Sequence, residues 1–264
     1  MSEYYFLTSL FPPLVIEHVP ALNFFELKEL LSINLSAKDF EKVEKFLSII
    51  DMDNLRAFWA KEPHDKRGNY TREEVEHALA HLAWPEDKEF PDYLKEFIEK
   101  RPDDKKKVEE FAILMSQFLK EGAEEEEGFL SEYFAFERGL RLVLVGFRAK
   151  KLGRNISKEF QYEDATEPLI AEILAQRDAA VFEPPFEFRE LKAIFLSFSE
   201  FPLELHKALL AYSFGKIEEF YGSSLFSMDR ILGFMARLLI VERWLELDMQ
   251  EGITMIGKIE GNVR

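Results

Sequence analysis

The sequence contains no cysteine among its 264 residues. This absence excludes structural disulfides and thiolate metal sites, and it is typical of proteins from a reducing compartment. We therefore expect a cytoplasmic protein.

A signal peptide and a long apolar run are also missing. The opening MSEYYFLTSL lacks the basic start and sustained apolar core of a leader. No window approaches the roughly 18 uncharged apolar residues that a transmembrane helix needs. The apolar run GLRLVLVG at 139–146 lies between Arg138 and Arg148 and is too short to span a bilayer. We expect no direct membrane insertion and at most a peripheral membrane role.

Motifs for phosphate binding and covalent catalysis are absent from the sequence. Neither a P-loop nor a GxGxxG motif follows a strand, and no nucleophile is framed by a recognisable elbow or base. We therefore predict no catalytic residue, no cofactor and no resident metal. Basic residues are scarce, with 34 Lys and Arg against 50 Asp and Glu and a net charge of -16. This balance disfavours nucleic-acid binding, which needs a basic footprint, and favours protein partners.

The residues that are abundant indicate an all-α fold with a substantial core. Hydrophobic residues make up 47% of the chain, including 26 phenylalanines, and apolar positions recur every three or four residues. Capping-box patterns at Ser36–Asp39 and Thr71–Glu74 predict helix starts near residues 37 and 72. The acidic run EGAEEEEG at 121–128 predicts a solvated loop. Later helices are predicted at 103–122, 129–152, 165–177, 186–198, 202–220 and 228–248.

Arginine and lysine concentrate in YFAFERGLRLVLVGFRAKKLGR, at 133–154, although the chain as a whole is acidic. On a helix, Glu137, Arg141 and Arg148 fall within one sector beside an apolar face. Glu137 and Arg141 are four apart, the spacing of an intrahelical ion pair, and the later cations suit the helix C-terminus. Two interpretations stay open: a structural ion pair with a favourable helix end, or a stripe that faces a partner or a central cavity.

A related phrase occurs twice more, at DMDNLRAFWA (51–60) and SMDRILGFMARLLIVERW (227–244). In the last copy, Asp229, Gly233 and Arg237 are spaced four apart; in the first, Asp53 precedes Arg56 by three. The copies predict three related helical lobes, roughly 1–120, 121–200 and 201–264.

DNLRAFW and FERGLRLVLVGFRAKKLG resemble a recurring phrase of the C subunit of V-type and archaeal-type rotary ATPases, whose eukaryotic form is the d subunit. The opening MSEYYFLTSLFPPL is similar to the form found in bacterial V-type ATPase operons. The resemblance implies a non-catalytic, funnel-like protein that couples the rotor shaft to the membrane proteolipid ring, with the other central-stalk subunits and the ring as partners. It would lie in the cytoplasm, peripheral to the inner membrane, in a complex for ion or proton transport or ATP synthesis.

The same resemblance implies a role for six residues that match the repeated phrase. They would hold the lobes together or line the socket for the shaft: Arg56, Glu137, Arg141, Arg148, Asp229 and Arg237.

Two apparent metal motifs are better explained as ordinary structure. In EPHDKRGNYTREE, at 62–74, Gly68 and Glu74 have the spacing of an EF-hand loop, but Arg67 stands where calcium needs an oxygen ligand. We predict a turn there. His77 and His81 have a zinc-binding spacing but no third ligand, so we predict an ordinary histidine pair.

Three functions follow from these patterns. The first is the rotary-motor coupling role that the resemblance implies. The second is a helical protein-binding adaptor unrelated to rotary ATPases, in which the arginine stripe docks an acidic partner segment. The third is a helical enzyme whose acidic site has no recognised motif.

Overall fold

A computed structural model describes residues 3–85, 88–221 and 225–262 of the chain. It is predominantly helical, which confirms the predicted all-α class. The helices are α1 (Glu3–Ser9), α2 (Phe24–Asn34), α3 (Ala37–Ala60), α4 (Arg72–His81), α5 (Asp92–Lys100), α6 (Asp104–Glu109), α7 (Phe111–Glu125), α8 (Phe129–Lys151), α9 (Ile156–Glu159), α10 (Pro168–Ala175), α11 (Glu190–Phe198), α12 (Pro202–Phe220) and α13 (Met228–Asn262).

Regular structure outside these helices is short. Strands β1 (Ala83–Trp84) and β2 (Lys88–Glu89) pair in antiparallel orientation, with Ala83 opposite Glu89. A 3₁₀ turn covers Phe186–Phe188 and leads into α11. The chain divides into two compact units, one formed by Met1–Lys28 with Gly139–Arg264 and the other by Glu29–Arg138. The three lobes were predicted from a repeated sequence phrase, and they stay a prediction.

The two predicted capping boxes start their helices where expected. The Ser36 hydroxyl accepts a hydrogen bond from the Asp39 N–H at 3.2 Å, and α3 begins at the next residue. At α4, the Thr71 N–H donates to the Glu74 carboxylate at 2.7 Å, and the Thr71 hydroxyl accepts from the Glu74 N–H at 3.3 Å. Both predicted helix starts are confirmed: α4 has the full capping box, and α3 has the Ser36 cap. Each cap satisfies a backbone donor that the first helical turn leaves unpaired.

The unit of residues 29–138 is built around α3, whose apolar face is fully buried. Val43, Leu47 and Ile50 have almost no exposed surface. Aromatic rings extend this core, with Phe46 5.4 Å from Tyr133 between ring centres. This packing accounts for part of the high phenylalanine content, since each ring buries a large apolar area.

The acidic run is more helical than predicted, because α7 continues to Glu125. Gly122 lies against the ring of Phe134, where an added Cβ would come within 2.6 Å of the ring. Lys45 lies 3.6 Å from a carboxylate oxygen of Glu125 and 3.6 Å from one of Glu126. Packing and this shared cation offset the repulsion among the glutamates, so the helix extends into the run.

The other unit is centred on α13 and its packing against α12. Ile231, Met235 and Leu238 on α13 are fully buried. The N-terminal segment lies on the same helix: the Phe11 ring stacks on Phe234 at 4.1 Å between ring centres. These contacts join the first residues of the chain to its last helix.

Candidate interaction surface on helix α8

The stripe predicted from the sequence lies on the exposed side of α8. Arg141, Val145, Arg148 and Leu152 follow one another at intervals of four, three and four residues, so they line one face of the helix and its last turn. We call these four residues the arginine face. Arg141, Arg148 and Leu152 are exposed and Val145 is half-buried. Glu137 is half-buried one turn before Arg141, at the spacing expected from the sequence.

Arg148 is the most available cation of this face. Its side chain is exposed, and its guanidinium has no hydrogen bond or ion pair with any residue that the structure describes. Arg141, by contrast, already interacts with another residue of the fold. A guanidinium presents a fixed fork of donors that fits a carboxylate with two parallel hydrogen bonds. Arg148 is therefore chemically suited to an acidic group from outside the chain.

The arginine face rests on a rigid aromatic layer. Phe147, on the adjoining side of α8, stacks on Phe195 of α11 at 4.7 Å and meets Phe182 edge-on at 4.9 Å between ring centres. A Cβ added at Gly146 would lie 2.5 Å from the Phe182 ring, so only glycine allows this approach. This close packing fixes the position of α8 against its neighbours.

The surroundings of the arginine face are locally basic. Lys150 donates to the backbone carbonyls of Arg177 at 2.7 Å and Ala179 at 2.5 Å, which brings no opposing charge. Lys151 pairs with Glu200 at 2.7 Å, and an Arg154 nitrogen lies 3.8 Å from a Glu159 oxygen. Since only two of these cations have a carboxylate partner beside them, positive charge is left over on this part of a strongly acidic chain.

The remaining predicted site residues lie elsewhere and have local surroundings of their own. Arg56 forms an ion pair with Glu62, just beyond the end of α3. Asp229 is half-buried in the first turn of α13. Arg237 stacks on the Phe214 ring at 4.0 Å, and its Nη1 lies 3.7 Å from a Glu218 oxygen. Neither Arg56 nor Arg237 contacts another of the six residues through these pairs.

Tyr221, which sequence reasoning missed, packs against the face of α13 that carries Asp229, Gly233 and Arg237. The ring of Tyr221 lies against Gly233, where a Cβ would come within 2.2 Å of it. Arg237 Nη1 donates to the Tyr221 hydroxyl at 3.2 Å, and the Arg230 guanidinium lies 4.8 Å from the ring centre. The glycine in this third copy is thus explained by a buried tyrosine rather than by a lost charge.

Sequence reasoning also missed the role of Asp51 and Asn54 in the first copy. Both are almost fully buried. Asn54 accepts from the Asp65 N–H and donates to the Asp65 carbonyl, each at 2.9 Å. Asp51 accepts from the Asn69 N–H at 2.8 Å and from the Asn69 side chain at 2.7 Å. Two polar residues on the apolar side of a predicted helix were the available signal.

The loop that resembles an EF-hand uses its oxygens within the protein. Both carboxylate oxygens of Asp65 contact the Arg67 guanidinium, at 2.8 Å and 3.2 Å from Nε and 2.8 Å from Nη2. The rings of His77 and His81 stack at 4.0 Å between centres. No group of three or more metal-ligating side chains occurs in the part of the chain that the structure describes.

Within the described ranges, none of the helices combines the length and apolarity needed to cross a membrane.

A family model described as "Protein of unknown function (DUF2764)" matches residues 1–263. Three uncharacterized chlamydial proteins are similar over the whole length of both chains: 32% identical in Chlamydia pneumoniae, 31% in Chlamydia muridarum and 30% in Chlamydia trachomatis serovar D. No solved structure matches the chain.

These comparisons overturn the resemblance to the C subunit of rotary ATPases. The matched family and the three relatives carry no link to a rotary motor, so the coupling function and the associated ion-transport and ATP-synthesis roles are wrong. The physical reason is that an acid followed by Leu-Arg is a short pattern with several local uses. Here Arg56 binds Glu62 and Asn54 binds the Asp65 backbone.

Proposed function

We propose that this chain, which belongs to the DUF2764 family, works as a non-catalytic helical adaptor that binds an acidic segment of a partner protein through the arginine face. The exposed and unpaired Arg148 is the observation that carries this proposal. Arg148 lies in the last turn of α8, where the helix dipole favours a cation, and its guanidinium is still open to a carboxylate from outside the chain. The basic surroundings of α8 add to the attraction for carboxylates.

The overall charge restricts the kind of partner. A net charge of -16 repels other strongly acidic molecules at distances within the Debye length, about 8 Å at physiological salt. The partner therefore carries its carboxylates in one segment and has a modest net charge overall. The rigid packing behind α8 favours binding, because an ordered face loses little conformational entropy when a partner docks.

Binding of a synthetic acidic helical peptide tests the proposal. The probe is a fluorescein-labelled peptide with glutamates on one face, titrated with the full chain and followed by fluorescence anisotropy. Replacing Arg148 by Glu converts an attractive contact into a repulsive one. We expect binding to weaken about tenfold or more in Arg148→Glu, the loss that corresponds to one charge-assisted contact.

Arg72→Glu is the matched control for this experiment. Arg72 is also an exposed arginine without a partner among the described residues, but it lies at the start of α4 beside Glu73 and Glu74. Both variants change the net charge by the same amount, so a general charge effect would weaken both equally. Equal binding by wild type and Arg148→Glu, or no binding of the acidic probe at all, would overturn the proposal.

A further inference from the structure

Three exposed apolar side chains lie at the end of α8 and in the α11–α12 turn that Lys151 binds. Leu152 follows Arg148 by four residues on the same face and is 58% exposed. Phe198 and Phe201, at the turn between α11 and α12, are 36% and 61% exposed. We call Leu152, Phe198 and Phe201 the apolar rim. A surface that binds only carboxylates has no need of such side chains.

The apolar rim continues a buried layer. Leu191, Phe195 and Phe198 are spaced four and three apart, so they share one face of α11. Leu191 and Phe195 are buried, and Phe195 stacks on Phe147 of α8. Phe198, at the end of α11, is partly uncovered. The apolar face of α11 thus extends from the core to the surface.

Hydrogen bonds hold the apolar rim beside the end of α8. Lys151 Nζ donates to the Ser199 carbonyl at 2.6 Å and pairs with the Glu200 carboxylate at 2.7 Å. The Phe201 N–H donates to the Phe198 carbonyl at 2.8 Å, which closes the turn. Both aromatic residues therefore flank a segment that is tied directly to the residue before Leu152.

From this arrangement we infer that the partner segment is an amphipathic helix, with a carboxylate that binds Arg148 and an apolar side chain one turn away that packs on Leu152, Phe198 and Phe201. This inference rests on the proposed function and specifies its partner. Residues four apart on a helix lie about 6 Å from one another. A Glu and a Leu at that spacing on the partner match Arg148 and Leu152.

A protein helix suits this surface better than a membrane does. Basic residues beside exposed aromatic rings also bind anionic lipid in some proteins. An anionic membrane surface is negatively charged over a wide area, however, and would repel a chain with a net charge of -16. A single acidic helix is small enough to meet only the local cations of α8.

Three helical peptides of equal length and labelling test the inference. The first carries Glu and Leu four residues apart, the second has each Leu replaced by Ser, and the third has each Glu replaced by Gln. We expect the full chain to bind the first peptide about tenfold to a hundredfold more tightly than the second, the range that corresponds to burying one leucine side chain. The third peptide should bind weakly.

Leu152→Ser separates this inference from the proposed function. It should reduce binding of the first peptide and leave binding of the second unchanged. Leu196→Ser is the matched control, because Leu196 is 68% exposed on a different face of α11. If the first and second peptides bind equally and Leu152→Ser has no effect, this inference fails while the acidic adaptor stands. Failure of all three peptides would remove both.

Two other occupants are tested with the same protein. Binding to phosphatidylserine vesicles that is lost in both Leu152→Ser and Arg148→Glu would overturn the inference in favour of a lipid surface. Concentration-dependent dimerisation in sedimentation velocity, lost in Leu152→Ser, would overturn it in favour of a second copy of the chain. A monomer that leaves vesicles unbound and discriminates between the peptides is the expected result.

Discussion

The buried side chain of Tyr221 explains why glycine and arginine stand at positions 233 and 237 of α13. It is 5% exposed and lies against Gly233 of α13. Its hydroxyl accepts a hydrogen bond from Arg237, and the Arg230 guanidinium lies above its ring. Tyrosine needs a polar partner for its hydroxyl when the ring is buried, and Arg237 supplies one. Glycine at 233 is required for space, because the backbone there is ordinary helix.

Replacing Gly233 by Ala should therefore destabilise the protein, whereas glycine to alanine in an open helix position stabilises it. The added methyl would overlap the Tyr221 ring, and overpacking of this kind costs about 1–3 kcal/mol. Gly215 on α12 is the matched control, because a Cβ there meets nothing within 4 Å. Gly215→Ala should gain about 0.5–1 kcal/mol. Urea unfolding followed by circular dichroism measures both; a Gly233→Ala variant as stable as Gly215→Ala would contradict the account.

At the scale of elements, the loop between α3 and α4 is held by side chains of α3. Asn54 pairs with the Asp65 backbone in both directions, and Asp51 accepts from Asn69. His64 contributes a further contact of 2.9 Å between its Nε2 and the Tyr70 carbonyl. A Cβ added at the loop glycine, residue 68, would come within 2.5 Å of an Asp51 carboxylate oxygen. Helix α3 thus sets the path of this loop.

Asn54→Ala should loosen this loop. The substitution leaves the N–H and carbonyl of Asp65 without their partner, and unsatisfied groups of this kind cost about 1–3 kcal/mol each when buried. We expect lower stability in urea and faster trypsin cleavage after Lys66, which is exposed within the loop. Asp53→Ala is the control, since Asp53 is the preceding residue and has no partner among the described residues. Equal cleavage rates in the two variants would show that Asn54 does not hold the loop.

Elements that depend on local chemistry could be predicted from the sequence. Helix α12 covers the predicted range of 202–220, because Pro202 starts it and apolar periodicity runs to its end. The predicted helix at 103–122 is instead two helices, which meet at Glu110. The Glu110 carboxylate lies 2.6 Å from Arg101 Nε, a contact between residues nine apart that periodicity does not show. Boundaries set by tertiary contacts were beyond prediction.

The candidate site was partly predictable for the same reason. The spacing of Arg141 and Arg148 alone is enough to put them on one face of a helix, and α8 has them there. The contribution of Phe198 and Phe201 was not predictable, because their position beside α8 depends on the bond from Lys151 to Ser199. Sequence reasoning identified the cations and missed the apolar rim.

At the scale of the whole molecule, the dominant property is its charge of -16. Like charges on a folded chain repel one another and destabilise the compact state. Glu124, for example, is exposed in the last turn of α7, where the negative end of the helix dipole is also unfavourable for a carboxylate, and Glu127 is a further exposed carboxylate three residues later. Salt screens such interactions.

Raising NaCl from about 0.02 M to 0.3 M should increase the melting temperature by a few degrees, because the Debye length falls well below about 10 Å over that range. The double variant Glu124→Gln with Glu127→Gln, which removes two of the negative charges behind the net charge of -16, should melt higher at low salt and respond less to salt. Differential scanning calorimetry at pH 8 measures both effects. A melting temperature that falls as salt is added would show that attractive ion pairs outweigh the repulsion.

The contact between Tyr221 and Gly233 also has a consequence for how the sequence evolves. Any side chain at 233 would overlap the Tyr221 ring, and loss of that ring would leave a cavity beside the glycine. We therefore expect positions 221 and 233 to covary: related proteins should keep both residues or have replaced both.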